Sequence, residues 1–186
     1  ALVWHDTIEQ QDFTYSPIHR FYPRTLPFEK TAEIAFTLPK VDFPKRQLGI
    51  YYSEDGATWD YLPAEFNRDS TQLAGEILSL ESFTLQRDSV PPVILPREPS
   101  DGSMQDASAL TRLEFRVFDA KSIVTGEGSI QLLLNGSPVI FEFNPITKIL
   151  VYRLPDPLAP GAHTVKITAR DAAGNSTERT VTFTLR

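Results

Sequence analysis

Through most of this chain, apolar residues recur at every second position. Leu113, Phe115 and Val117 alternate with Arg112, Glu114 and Arg116, a period of two that predicts a half-buried β-strand. Val165, Ile167 and Ala169, then Val181, Phe183 and Leu185, repeat that period on either side of Asp171-Ala172-Ala173-Gly174-Asn175. A closing hairpin is expected there. Ile130 to Leu134 runs into Asn135-Gly136, the strongest short hairpin signal, so Val139-Ile140-Phe141 is expected to pair back. With Val93–Leu95 and Ile149–Tyr152, residues 89–186 should hold about seven strands.

The first half is less regular. Ile34, Phe36 and Leu38 alternate, as do Leu48, Ile50 and Tyr52. Asp55-Gly56 marks a turn before Thr58 to Leu62, and Leu73–Leu78 and Phe83–Leu85 complete the set. Residues 1–30 show no clear period, and no segment predicts a helix. Between the halves, Asp88-Ser89-Val90-Pro91-Pro92 removes two backbone donors and stiffens the chain, predicting a short, semi-rigid link. The expectation is an all-β protein of two tandem β-sandwich modules, 1–88 and 89–186.

Composition narrows the function. There is no cysteine, which excludes a disulfide framework, a cysteine zinc site and a cysteine nucleophile. The net charge of -6 falls on residues 1–88, while the remainder is balanced. Neither half carries the basic stripe that a phosphate backbone demands, so no nucleic-acid partner is expected. No apolar run reaches membrane-spanning length, and direct membrane insertion is not expected. The sequence begins at Ala1, which reads as a processed or excised piece of something longer.

The second half resembles a bacterial immunoglobulin-like domain. The matching residues are Pro91-Pro92-Val93-Ile94, Asp101-Gly102, Asp119, Leu134-Asn135-Gly136, Leu158-Ala159-Pro160-Gly161-Ala162-His163 and Asp171-Ala172-Ala173-Gly174-Asn175. In the first half, Tyr51-Tyr52-Ser53-Glu54-Asp55-Gly56-Ala57-Thr58-Trp59 and Ser82-Phe83-Thr84-Leu85 are similar to β-sandwich modules related to the ZU5 family. Both kinds occur in accessory regions of bacterial envelope proteins and peptidases. The resemblance implies an accessory or spacer role and carries over no catalytic residue.

Four chemistries compete with bland readings. Some ZU5-related domains cleave themselves before a Ser that follows His-Phe; here Ser82 stands where that histidine would act on Thr84, and a hydroxyl is no base near neutral pH. His5, His19 and His163 have no metal-site spacing. Asp88, Asp101, Asp119, Asp171 and Asn175 sit at strand ends and offer the hard oxygens that calcium requires, but Asp and Asn also close turns, and that reading is preferred. Tyr52, Trp59 and Tyr61 are candidates for a sugar-binding face; alternation opposes Tyr51 to Tyr52 and places Trp59 with Tyr61. Trp59 is also the expected large core aromatic of the first module. No hydrolase elbow, zincin or phosphate-loop motif occurs, so no catalytic residue is named and no enzyme is expected.

The expected function is a non-catalytic accessory or spacer module of a larger secreted or envelope bacterial protein. Its expected location is extracellular, periplasmic or envelope-associated. It would be a monomer whose partners are the other domains of its parent, with cell-wall glycan or a surface protein as further partners. The alternative is a carbohydrate- or cell-wall-binding module. No cofactor is expected unless calcium binds.

Overall fold

The computed structural model describes residues 3–24 and 26–186. The chain divides into two compact units, Ala1–Ser89 and Val90–Arg186, one residue beyond the expected boundary. Both are all-β, with no α-helix among the described residues.

In the first unit the strands are β1 (Trp4–Ile8), β2 (Ile18–Tyr22), β3 (Pro27–Thr37), β4 (Leu48–Ser53), β5 (Asp60–Leu62), β6 (Ala64–Phe66), β7 (Gln72–Ser79) and β8 (Ser82–Arg87). They form a five-stranded sheet ordered β1-β2-β8-β4-β5 and a three-stranded sheet ordered β3-β7-β6. The core between them comes from the alternating residues: Leu48, Ile50, Phe83 and Leu85 from the first sheet, Phe36 and Leu73 from the second. Each such side chain contributes about 1.5–3 kcal/mol when fully buried.

Residues 3–24 and 26–30 are more ordered than the pattern of this region suggests. Two strands and the start of a third lie there. β1 pairs antiparallel with β2, placing Trp4 opposite Tyr22, Asp6 opposite Arg20 and Ile8 opposite Ile18. β1 is an edge strand, so it needs only one bonded side and no strict apolar alternation.

In the second unit the strands are β9 (Val93–Glu98), β10 (Ser103–Gln105), β11 (Arg112–Phe118), β12 (Ile130–Leu134), β13 (Ser137–Pro138), β14 (Glu142–Asn144), β15 (Ile149–Arg153), β16 (Gly161–Arg170) and β17 (Ser176–Leu185). Sheets ordered β10-β17-β16-β12-β13 and β14-β15-β11-β9 enclose Leu113, Phe115, Val117, Leu132, Leu150, Val165, Ile167, Val181 and Phe183. β16 and β17 pair over ten residues.

Asn135 and Gly136 adopt φ of 51° and 82°, the left-handed pair that a tight hairpin turn requires. The strand expected at Val139–Phe141 is replaced by the two residues of β13. Pro138 has no N–H to extend a ladder, and the chain leaves to form β14 in the other sheet. The short β10 and β14 raise the strand number above the expected seven.

Candidate functional site

Three of the proposed calcium residues meet at one end of the second unit. Asp119 follows β11 and Asp171 joins β16 to β17. Both are buried, with a carboxylate oxygen of each within 4.8 Å of the other. The Asp119 Oδ1 accepts the N–H groups of Lys121 and Ser122 at 2.7 and 2.8 Å. The Asp171 carboxylate accepts the Asn175 backbone N–H at 2.8 Å and its Nδ2 at 2.9 Å. Ala172 N–H donates to the Ile123 carbonyl at 2.9 Å, joining the two loops, and Asn175 Nδ2 also reaches the Val90 carbonyl at 3.3 Å. Two buried carboxylates this close could share a hard cation. Each already closes its own turn, as Asp does without any ion.

The other two acidic candidates are Asp88 and Asp101. Asp88 ends the first unit, buried just after β8, with its N–H donated to the Gln47 carbonyl at 2.8 Å. Asp101 precedes β10 and sits beside Thr182, seven residues along β17 from Asn175. At strand rise that is about 23 Å away. Its Oδ1 accepts from Thr182 N–H at 2.9 Å and Thr182 Oγ1 at 3.3 Å, and its Oδ2 faces Arg179 at 3.5 Å. The Thr182 N–H, foremost, holds the Asp101 carboxyl below its ordinary range.

Asp101 opens a strap that binds the early chain of this unit to its last strand. β10 runs parallel to β17, with Ser103, Met104 and Gln105 opposite Phe183, Thr184 and Leu185. Gly102 N–H donates to Thr182 O at 2.7 Å, Arg186 N–H to Gln105 O at 3.1 Å and Ala107 N–H to Arg186 O at 3.0 Å. Arg186 and Asp106 close its far end at 3.0 Å. Nothing in the Ser-Met-Gln stretch signals this pairing, because a three-residue strand shows no period.

The three aromatic candidates do not form one face. Tyr52 stands opposite Phe83 and packs against the first core. Burial, with Asp60, Glu81 and Glu54 nearby, pushes its hydroxyl pKa up. Tyr61 stands opposite Tyr51 on the other side of the sheet, edge-on at 5.7 Å. Trp59 is only half-buried and meets Phe13 at 6.4 Å. The large buried aromatics are Tyr51 and Phe83, each 1% exposed, which corrects the expectation for Trp59. Both faces of β4 are covered, so the interior takes the strand's own tyrosine.

Thr84 is fully buried, with its hydroxyl 3.1 Å from Ser16 Oγ. Among the described residues no histidine or carboxylate is hydrogen-bonded to it. His163 belongs to the second unit, where its ring nitrogens meet Ala159 O and Asn135 Nδ2. His5 Nε2 and His19 Nδ1 lie 3.1 Å apart, with ring centroids 5.3 Å apart and planes within 10°. Those values require the rings to meet tip to tip, sharing one hydrogen. The two facing nitrogens point at each other rather than converging on a third point as tetrahedral zinc ligands must.

One group of residues escaped the sequence reading. On one face of the β1–β2 hairpin, Trp4 stacks on Tyr22 with centroids 4.1 Å apart and planes within 9°. Beside them, Arg20 Nε and Nη2 grip Asp6 at 2.8 and 2.7 Å. Trp4 remains 52% exposed. Cross-strand pairing makes the group, and pairing between segments fourteen or more residues apart leaves no local trace.

No protein-family model and no curated protein matches this chain. Among solved structures, dimeric latent PorU from Porphyromonas gingivalis is similar over 98% of this chain, at 14% identity and a TM-score of 0.40. The similar region is 22% of that chain. At this level the likeness carries no weight for fold or function. No helix among the described residues is long and apolar enough to cross a membrane.

Proposed function

We propose that this chain is a non-catalytic, load-bearing spacer of a larger secreted or envelope bacterial protein, positioning a neighbouring domain. The observation that carries this reading is the parallel pairing of β10 with β17. β10 lies near the start of the second unit and β17 at its end. Tension between Val90 and Arg186 pulls these two parallel strands in opposite directions along their length. The ladder bonds then load together in shear, whereas an antiparallel hairpin pulled from its two ends opens one bond at a time. Asp101 and Asp106 add side-chain ties at both ends of the strap. The resemblance to bacterial immunoglobulin-like domains supports an envelope setting.

Single-molecule pulling tests the reading. Handles on Val90 and Arg186 should give a higher unfolding force than handles on Val90 and Gly136, which leave β17 outside the force path. Asp101→Ala should lower the first force and leave the second unchanged. Because the Asp101 pKa is depressed in the folded state, its tie is complete above the ordinary value of 3.8 and is lost as pH falls through the lower folded value. Equal forces in both geometries would remove the mechanical argument. Turnover of a peptide or glycan by the pure protein would remove the non-catalytic one.

A further inference from the structure

We propose that the outer face of the β1–β2 hairpin binds a neutral, β-linked pyranose oligosaccharide, with Trp4 as the stacking platform and the Asp6–Arg20 pair as its hydrogen-bonding edge. This does not rest on the spacer reading.

Three observations converge. The first is the platform. Trp4 is stacked on Tyr22 at 4.1 Å, and the Arg24 guanidinium lies 5.5 Å from the Tyr22 ring centre. A ring fixed in this way loses little further freedom when a ligand lands on it. Yet Trp4 keeps about half its surface in water, although an indole gains most when both faces are covered.

The second is the neighbourhood. Trp4 and Asp6 are two residues apart on β1, and their partners Tyr22 and Arg20 are two apart on β2. All four side chains therefore share one face, the pairs about 7 Å apart along the strands. That is the reach of one sugar ring.

The third is charge, which selects the ligand. Asp6 and Arg20 neutralise each other through a two-pronged contact. Their side chains stay 35% and 29% exposed. The edge offers carboxylate acceptors and guanidinium donors together, at no net charge. An anion would meet Asp6 and a cation would meet Arg20. A neutral polyhydroxylated ring uses both and brings no charge of its own to be desolvated. β-linked pyranoses present a flat face of axial C–H groups, the surface that an aromatic ring covers.

The test uses the whole chain. Both tryptophans, Trp4 and Trp59, lie in the first unit, so Trp59→Phe leaves Trp4 as the emitter. Cellohexaose and chitohexaose are titrated against it, with maltohexaose as the α-linked control and polygalacturonate as the anionic one. The β-linked neutral hexamers should shift and quench Trp4 emission saturably. Calorimetry should show Trp4→Ala weakening that binding by about tenfold or more, as loss of an aromatic stack implies, with Trp59→Phe unchanged. An NMR shift at the Arg20 Hε should track the same saturation. Unaltered emission with every saccharide would overturn the proposal. So would equal binding by Trp4→Ala, or polygalacturonate binding as tightly as the neutral hexamers. Maltohexaose binding as tightly would overturn the β-linked assignment. Any of these failures leaves the pulling experiment untouched.

Discussion

Gly75 sits in the middle of β7, opposite Ile34 of β3 and Ala64 of β6. A Cβ added there would lie 2.8 Å from the Pro63 carbonyl oxygen and 3.1 Å from Leu62 Cδ2. The leucine can turn, but the carbonyl belongs to the backbone that leads into β6. The sheet must open, or the Pro63 peptide must tilt. Such overpacking costs about 1–3 kcal/mol. Alanine returns part of that by restricting the unfolded chain, about 0.4–1 kcal/mol. The expected net loss for Gly75→Ala is therefore about 1–2 kcal/mol, or about 4–8 °C of melting temperature per kcal/mol for a unit of this size. Because both tryptophans lie in the first unit, their emission during urea unfolding reads that unit. The midpoint should fall with the slope unchanged. Gly128→Ala is the contrast: nothing lies within 4 Å of its added Cβ, and its φ is outside the left-handed region. It should be neutral or slightly stabilising when amide exchange is followed in β11. An unchanged or raised midpoint for Gly75→Ala would show that β6 yields freely, and that the close approach of Pro63 to β7 sets nothing.

Two predictions concern pH. Burial foremost raises the Glu81 pKa above its ordinary 4.5, so the folded state holds that proton more tightly and the first unit should lose stability as pH rises from 4.5 through the folded value; Glu81→Gln should abolish this fall in urea midpoints, and an identical pH profile would refute the assignment. Burial first, then His5, lowers the His19 pKa below 6.5, so stability should be full above 6.5 and decline as pH falls through the lower folded value. His19→Gln should flatten that decline, and a slope unchanged by the substitution would place its origin in another group.

What the sequence revealed and what it hid follow one physical line. Alternation is legible where one face is buried and the other wet, as in β11, β16 and β17, whose outward positions are polar. The Asn135-Gly136 turn is legible because few residues tolerate φ near 51° and 82°. β4 reads Leu-Gly-Ile-Tyr-Tyr-Ser and is covered on both sides, so alternation assigns Tyr51 and Tyr52 to opposite faces without saying which is the more buried. β1 and β2 failed for the opposite reason. Trp4, His5 and Thr7 are exposed, so hydrophobicity hardly marks them, and what fixes them is the ladder of partners across the hairpin. The aromatic residues follow the same line: Tyr52 and Tyr61 are neighbours in sequence but face opposite sides of the sheet, whereas Trp4 and Tyr22 are close only in space.

The aspartates carry this argument to the level of single residues. An oxygen ligand for calcium and an acceptor for a turn amide demand the same thing, a short side chain bearing a carboxylate at a strand end. Sequence therefore gives four aspartates with one signature, and partners alone separate them. Asp55, never a calcium candidate, spends its Oδ1 on Ala57 and Thr58 N–H groups and holds a turn. Asp101 spends its own on Thr182 and ties two strands distant in sequence. Asp119 and Asp171 each close a loop, but of Asp55, Asp101, Asp119 and Asp171 they alone combine burial with a second carboxylate within 4.8 Å. Two buried like charges so close raise each other's cost of ionising, while the N–H groups that each accepts lower it. Turn closure accounts for where these carboxylates sit; it does not require two of them side by side. That proximity is what distinguishes the end of the second unit from every other Asp-bearing turn among these four, and no spacing along the chain encodes it.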